Sequence, residues 1–127
     1  MNKNKILLNV YGIKPAPWGG KEWDWRKAIA NEARKYSPTL PASHSGFEVS
    51  MIFCLLQTTY DRSDLDNLAK PVLDTIFLPN NPQVKDRKLT GALIRLDGSV
   101  VNKLTVEKRL ATNASDEGAE IIVMWED

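Results

Sequence analysis

The sequence has few of the residues that usually mark disulfide, zinc or membrane chemistry. It contains one cysteine, Cys54, and one histidine, His44, among 127 residues. One thiol cannot form an internal disulfide, and a lone imidazole without a second histidine or cysteine nearby argues against a zinc site. No apolar run approaches the roughly 18 residues of a membrane-spanning helix. The short run Ile6–Leu8 lacks a cleavage site, which predicts a cytoplasmic location.

An excess of one charge is also absent, because 17 Lys and Arg residues stand against 16 Asp and Glu residues. This balance identifies no partner by itself. Nucleic acid is not excluded, since acidic residues gathered at a metal site can offset a basic surface elsewhere. The length is typical of one domain with one core, so we expect residues 1–127 to fold as a single unit.

Hydrophobic periodicity predicts the element order β-α-β-α-(β)-β-β. The middle of the second strand is apolar on both faces, which is typical of a central strand. The last two strands are separated by a polar turn and are predicted to form a hairpin. The fold class is therefore α/β (α+β), one domain with a mixed β-sheet and two main helices packed on it. Strands are predicted at Lys5–Ile13, Phe47–Tyr60, Val100–Leu110 and Ala119–Trp125, helices at Trp23–Tyr36 and Asp64–Phe77, and a short strand or helical turn at Leu89–Leu96.

Charge is concentrated where the second strand passes into the second helix, in the segment Ser63–Asp74. Asp66, Lys70 and Asp74 have the spacing i, i+4, i+8 and share one helix face. The simplest interpretation is a helix capped by Ser63 or Asp66 and supported by ion pairs of about 0.2–0.5 kcal/mol each. Since Pro71 removes one backbone donor, we expect the helix to begin late or to kink there.

The same segment also has the chemistry of a Mg²⁺ site. Mg²⁺ is usually held by one or two carboxylates, with waters and substrate phosphate oxygens completing its shell. Asp64 and Asp66 are two residues apart, so they point to the same side only if the chain is extended there. Lys70 would then face a scissile phosphate, in a site that hydrolyses phosphodiesters. Such a site would need one further acidic ligand.

Two segments resemble one known family. Asp64–Asp74, with the pattern DxDNxxKxxxD, closely resembles the signature of the RusA-type Holliday junction resolvases, and Lys103–Arg109 resembles the strand that follows in that family. The likeness covers most of the chain from Phe47 onward. It implies a small homodimeric endonuclease that depends on Mg²⁺, tolerates Mn²⁺ and cuts branched DNA such as four-way junctions. Asp64 and Asp66 match the essential acidic pair of the family.

The resemblance also implies that Lys70 matches the essential lysine of the family, and it predicts a third carboxylate. In the family, an Asp-Asp pair precedes the strand that Lys103–Arg109 resembles, and its second member is essential. Here the pair is Asp97-Gly98, so glycine stands where the essential aspartate is usual. Asp97 is our candidate for the third metal ligand after a one-residue shift. The alternatives are Asp86 in the preceding loop, or an impaired protein that binds branched DNA without cutting it.

Basic residues in two regions are candidates for contact with DNA phosphates. The simpler interpretation is that they are solvated surface charges. Tryptophans near the first group could stack on bases, and we expect at least one of them in the core. Two symmetric cuts in a junction also favour a homodimer. The candidate contacts are Lys14, Lys21, Arg26, Lys27, Lys85, Arg87 and Lys88, and the tryptophans are Trp18, Trp23 and Trp25.

Overall fold

A four-stranded mixed sheet forms the centre of the protein, as seen in a computed structural model that describes residues 3–19, 21–36, 46–79, 89–96 and 98–126. The strand order is β1-β4-β2-β3. Strand β2 pairs parallel with β3 and antiparallel with β4, and β4 pairs antiparallel with β1. The strands are β1 Lys3–Tyr11, β2 Phe47–Leu55, β3 Val101–Leu110 and β4 Gly118–Glu126.

Strand β2 has the central position that its apolar sequence predicts. Its residues alternate between fully and partly buried from Phe47 to Leu55, as expected for a strand with a helix-covered face. The prediction that the strand continues to Tyr60 is wrong. Gln57–Arg62 form a short helix, α2, which turns the chain towards the charged segment. Polar residues such as Gln57 and Asp61 cannot continue a buried strand, and here their side chains hydrogen bond one turn apart.

The predicted hairpin of the last two strands is also wrong, because β2 lies between β3 and β4. The burial of the two strands explains their positions. Every second side chain of β4 is buried from Ala119 to Trp125, whereas β3 is mostly exposed. A polar strand such as β3 is suited to the edge of a sheet, and an apolar strand such as β4 is suited to the interior.

The helices pack on one face of the sheet. Helix α1 is Trp23–Ala33, three residues shorter than predicted, and helix α3 is Leu65–Ile76. No helix among the described residues has both the length and the apolar character needed to cross a membrane. The largest fully buried side chains come from both helices and from the sheet, and they include Trp25, Phe47, Phe53, Leu8, Ile29, Met51, Leu68 and Ile76.

The short strand predicted as one possibility for 89–96 is not observed, and of the alternative helical turn only Leu89 has 3-10 helical geometry. Residues 89–96 run as buried irregular chain across the C-terminal end of α3, where the N–H groups of Ala92 and Ile94 donate to the carbonyls of Thr75 and Ile76. These bonds satisfy carbonyls that the helix end leaves without partners. Immediately afterwards, Gly98 donates its N–H to the carbonyl of Leu78 at 3.2 Å. The chain is thereby brought back beside α3.

Gly118 lies at the start of β4, where it pairs with Tyr11 of β1. Its φ of +150° is rarely adopted by other residues, and an added Cβ would overlap the Val10 carbonyl oxygen and lie 2.7 Å from the Tyr11 Cα. We expect Gly118→Ala to lower the free energy of unfolding by about 2–3 kcal/mol, measured by urea denaturation. The matched control is Gly98→Ala, because a Cβ there meets nothing within 4 Å. Equal stability of the two variants would contradict this prediction.

Candidate functional site

Helix α3 begins at the acidic pair. Asp64 is the N-cap residue, with an extended backbone at φ −87° and ψ 143°, and its carbonyl accepts the N–H of Leu68 at 3.0 Å. The cap is therefore Asp64, not Ser63 or Asp66 as predicted. Asp66 belongs to the first helical turn, so only Asp64 keeps the extended backbone that was predicted for both.

Neither carboxylate of the acidic pair is used by the fold. Asp64 makes no side-chain hydrogen bond to the helix end that it caps. Both side chains are exposed, and neither forms a hydrogen bond or an ion pair with any residue that the structure describes. A purely structural cap would bond its carboxylate to the backbone of the first turn. This pair leaves two negative charges at the positive end of a helix dipole, open to solvent.

Distance decides which aspartates can share one ion. Two consecutive residue steps span at most about 7 Å, so the Cα atoms of Asp64 and Asp66 lie within reach of one ion, but the extended backbone that would point both side chains to the same side is present only at Asp64. Asp66 and Asp74 lie eight residues apart on one helix, which separates their Cα atoms by about 12 Å. Two aspartate side chains cannot bridge that distance to one Mg²⁺ ion, whose ligands lie at about 2.1 Å. Asp74 is therefore not a partner of Asp66 in binding an ion.

Lys70 extends from the second turn of α3 towards solvent. Its Nζ lies 3.5 Å from an Asp74 carboxylate oxygen and 5.8 Å from the centre of the Trp18 ring. The lysine side chain is 48% exposed, so this ion pair is weak enough to exchange for another anion. The aromatic neighbour of Lys70 comes from a part of the chain far away in sequence.

Lys70 and Asp74 line one open cleft of about 360 Å³, whose lining includes neither Asp64 nor Trp18. Asp66, Lys70 and Asp74 line it from one face of α3, as their spacing predicted. Gly98 and Leu104, from the part of the chain that follows, also line it. Gly98 thus borders the same cleft as the acidic helix. A Cβ at this position would meet nothing within 4 Å, so the cleft has room for a larger residue there.

The donor set fits Mg²⁺ in its chemistry. Asp64 and Asp66 are hard oxygen donors, and two carboxylates are enough when waters and substrate phosphate complete the shell. Among the described residues, no group of three or more His, Cys, Asp or Glu side chains could hold a metal ion. The predicted third ligand, Asp97, and its alternative, Asp86, both lie outside the described residues.

Lys108 on the edge strand β3 holds the chain in place just before the acidic pair. Its Nζ donates to the carbonyl of Tyr60 at 2.7 Å and to that of Ser63 at 3.0 Å, and it lies 4.4 Å from the centre of the Tyr60 ring. Lys108 belongs to the segment Lys103–Arg109, which resembles the resolvase family, but the sequence alone predicted no role for it. The structure shows that it positions the backbone from which Asp64 projects.

The predicted DNA contacts separate into distinct locations. Lys14 and Lys21 line a second cleft beside helix α1, and Lys27 is an exposed residue of α1. Arg26 is only 4% exposed, and its Nε donates to the Thr75 hydroxyl oxygen at 2.9 Å. It anchors α1 to α3 and does not face solvent, so its assignment as a DNA contact is corrected. Lys85, Arg87 and Lys88 lie outside the described residues.

Comparison of the sequence with protein families and with curated proteins found no match. The resemblance to the RusA-type resolvases therefore depends on the two motifs alone.

The different positions of Arg26 and Lys27 predict different effects on stability. Arg26→Met removes a buried charged donor from Thr75 and the Asp74 carbonyl, so we expect a loss of about 2 kcal/mol in the free energy of unfolding. Lys27→Met, at the exposed neighbouring position, should change it by less than about 0.5 kcal/mol. Urea denaturation of both variants provides the measurement. An Arg26→Met variant with the same free energy of unfolding as the wild type would show that the buried guanidinium is dispensable for packing.

Proposed function

We propose that the protein is a Mg²⁺-dependent endonuclease that hydrolyses phosphodiester bonds in branched DNA, such as four-way junctions. The observation that carries the proposal is the pair of exposed carboxylates of Asp64 and Asp66, which have no partner among the residues that the structure describes. Lys70 follows one turn later and lines the adjacent cleft with Asp66. The likeness of Asp64–Asp74 and Lys103–Arg109 to the RusA-type resolvases supports the same function.

The proposed roles follow from charge and position. Asp64 and Asp66 would hold Mg²⁺, with Mn²⁺ as a substitute. When bound, the ion supplies positive charge beside the scissile phosphate and lowers the pKa of nearby water. Lys70 exchanges Asp74 for a phosphate oxygen and neutralises charge that develops during cleavage. Asp74 holds the lysine in the cleft when no substrate is bound, and Asp97 remains our candidate for a third acidic ligand.

The proposed substrate also bears on assembly and location. A four-way junction needs two symmetric cuts, so we propose a homodimer with one cleft in each subunit. A junction-cleaving enzyme acts where DNA recombination and repair take place, which agrees with the cytoplasmic location expected from the sequence.

A second function is favoured by Gly98. It borders the cleft at the place where the resemblance leads us to expect a carboxylate. A protein with the same architecture and an incomplete metal site would bind branched DNA without cutting it. Junction binding in a gel-shift assay, with no cleavage in Mg²⁺ or Mn²⁺, would favour this alternative.

The assigned acidic pair can be tested by cleavage of a synthetic four-way junction. We expect the wild type to cleave with Mg²⁺ or Mn²⁺ and Asp66→Asn to lose at least about 100-fold in rate, because a carboxylate ligand is removed. Asp74→Asn, on the same helix face but about 12 Å away, should lose far less. Asp116→Asn, in the exposed β3–β4 connection, is the control for an unrelated carboxylate. Full activity of Asp66→Asn would refute the proposed site.

Gly98→Asp tests whether the cleft lacks a carboxylate. The added side chain has room, so we expect the variant to fold like the wild type and to bind Mn²⁺ more tightly by isothermal titration calorimetry. Gly98→Asn is the matched control, since it has nearly the same shape without the charge. Unchanged metal affinity in Gly98→Asp would show that this position does not contribute to an ion site.

A further inference from the structure

The segment 13–19, here called the proline loop, is docked onto the helix that carries the acidic pair. The Trp18 N–H donates to the Asn67 carbonyl oxygen at 2.8 Å. In an uninterrupted helix that carbonyl would accept the N–H of the residue four positions later, which here is Pro71 and has no N–H. Pro71 therefore leaves Asn67 with a carbonyl for the proline loop. The predicted late start of the helix is not observed, since α3 begins at Leu65 and contains Pro71 in its interior.

The docking presents an aromatic ring beside the catalytic candidates. Trp18 is 54% exposed, although large aromatic side chains are usually well buried. The backbone at Trp18 is restrained, because its N–H bonds to α3 and Gly19 next to it donates its N–H to a Glu22 carboxylate oxygen at 3.0 Å. Restrained exposed tryptophans are typical stacking platforms for nucleobases. Trp23 is similarly exposed, and neither tryptophan is part of the lining of either cleft; Trp18 differs in that its ring centre lies 5.8 Å from the Lys70 Nζ.

A second cleft, of about 410 Å³, is lined by the proline loop, by Lys21 and by the start of helix α1. Its lining carries two positive charges, Lys14 and Lys21, and one negative charge, Asp24, which leaves a net charge of +1. Neither lysine has an ion-pair or hydrogen-bond partner among the described residues. Trp25 also lines this cleft, and its indole N–H is buried with no acceptor in the described part of the chain. A phosphate would supply the acceptor oxygens that the two lysines lack.

We propose that one DNA strand occupies both clefts. Its scissile phosphate lies in the cleft lined by Asp66 and Lys70, here called the α3 cleft, and a neighbouring backbone phosphate binds in the second cleft. Trp18 stacks on a base between these two phosphates. The inference rests on the proposed function, because it takes the α3 cleft as the site of cleavage. Trp18 connects the two clefts: its neighbour Pro17 lines the second, and its ring lies 5.8 Å from Lys70, which lines the first.

A DNA strand fits these features better than a free phosphate does. Inorganic phosphate could satisfy the two lysines but offers nothing to the exposed Trp18 ring. A single strand presents a phosphate and an unpaired base together, as the opened centre of a junction does. Inorganic phosphate should therefore compete only weakly with the DNA strand for the second cleft. Substitution of Trp18 should weaken binding of the strand and leave binding of inorganic phosphate unchanged.

The test measures binding without cleavage. Binding of a fluorescein-labelled, single-stranded oligothymidylate is followed by fluorescence anisotropy in EDTA at several salt concentrations. For Lys14→Gln combined with Lys21→Gln, we expect weaker binding and a salt dependence reduced by about 0.7, the value for one single-strand phosphate contact. Trp18→Ala should lose about tenfold in affinity, while Trp18→Phe should keep most of it. Asp24→Asn should bind more tightly, because a repulsive charge is removed.

Matched controls separate this subsite from general surface charge and from folding. Lys5→Gln combined with Lys35→Gln removes two exposed lysines outside both clefts, and Trp23→Ala removes an equally exposed indole. Circular dichroism melts verify that every variant is folded. If the two lysine pairs have the same salt dependence, or Trp18→Ala binds like Trp23→Ala, or the wild type does not bind, the subsite is refuted. Binding that follows the predicted pattern without any cleavage would refute only the endonuclease.

Discussion

The ammonium group of Lys108 joins the edge strand β3 to the carbonyls of Tyr60 and Ser63, and so determines where helix α3 can begin. A half-buried cation with two carbonyl acceptors is a strong restraint, because breaking it would leave both the charge and the carbonyls poorly solvated. Asp64, the N-cap of α3, directly follows the restrained residue Ser63. Since the helix then starts at Leu65, Asp66, Lys70 and Asp74 are directed towards one cleft.

The same helix organises the N-terminal part of the chain through two further contacts. The Thr75 hydroxyl donates to the Pro71 carbonyl and accepts a bond from the Arg26 guanidinium, which attaches α1 to α3. The missing N–H of Pro71 leaves an acceptor for the Trp18 N–H, which attaches the proline loop. A proline that costs one helical hydrogen bond thus brings a tryptophan next to Lys70. Helix α3 thus holds the proline loop, which lines the proposed phosphate cleft, close to the proposed cleavage cleft.

Much of the fold was predictable from local patterns, because burial in this sheet follows the alternation of side chains along each strand. The central position of β2 and the helical nature of Leu65–Ile76 are of this kind. The failures concern pairing between distant segments. The sequence of β3 and β4 resembles a hairpin, yet β4 pairs with both β1 and β2 because its apolar side chains need neighbours on either side. The irregular residues at 89–96 had no pattern to detect, since their bonds go to the carbonyls of a helix end.

The sequence by itself determined the composition of the candidate site: an acidic pair two residues apart, a lysine one turn later, and an aspartate one turn beyond. Helical spacing is a local property, so the common face of Asp66, Lys70 and Asp74 could be derived without a structure. Only the tertiary structure decided that Asp64 caps the helix without using its carboxylate, that Arg26 is buried, and that Gly98 borders the cleft. It also decided that Trp18 stands beside Lys70. These features depend on contacts between residues far apart in the chain, where sequence periodicity carries no information.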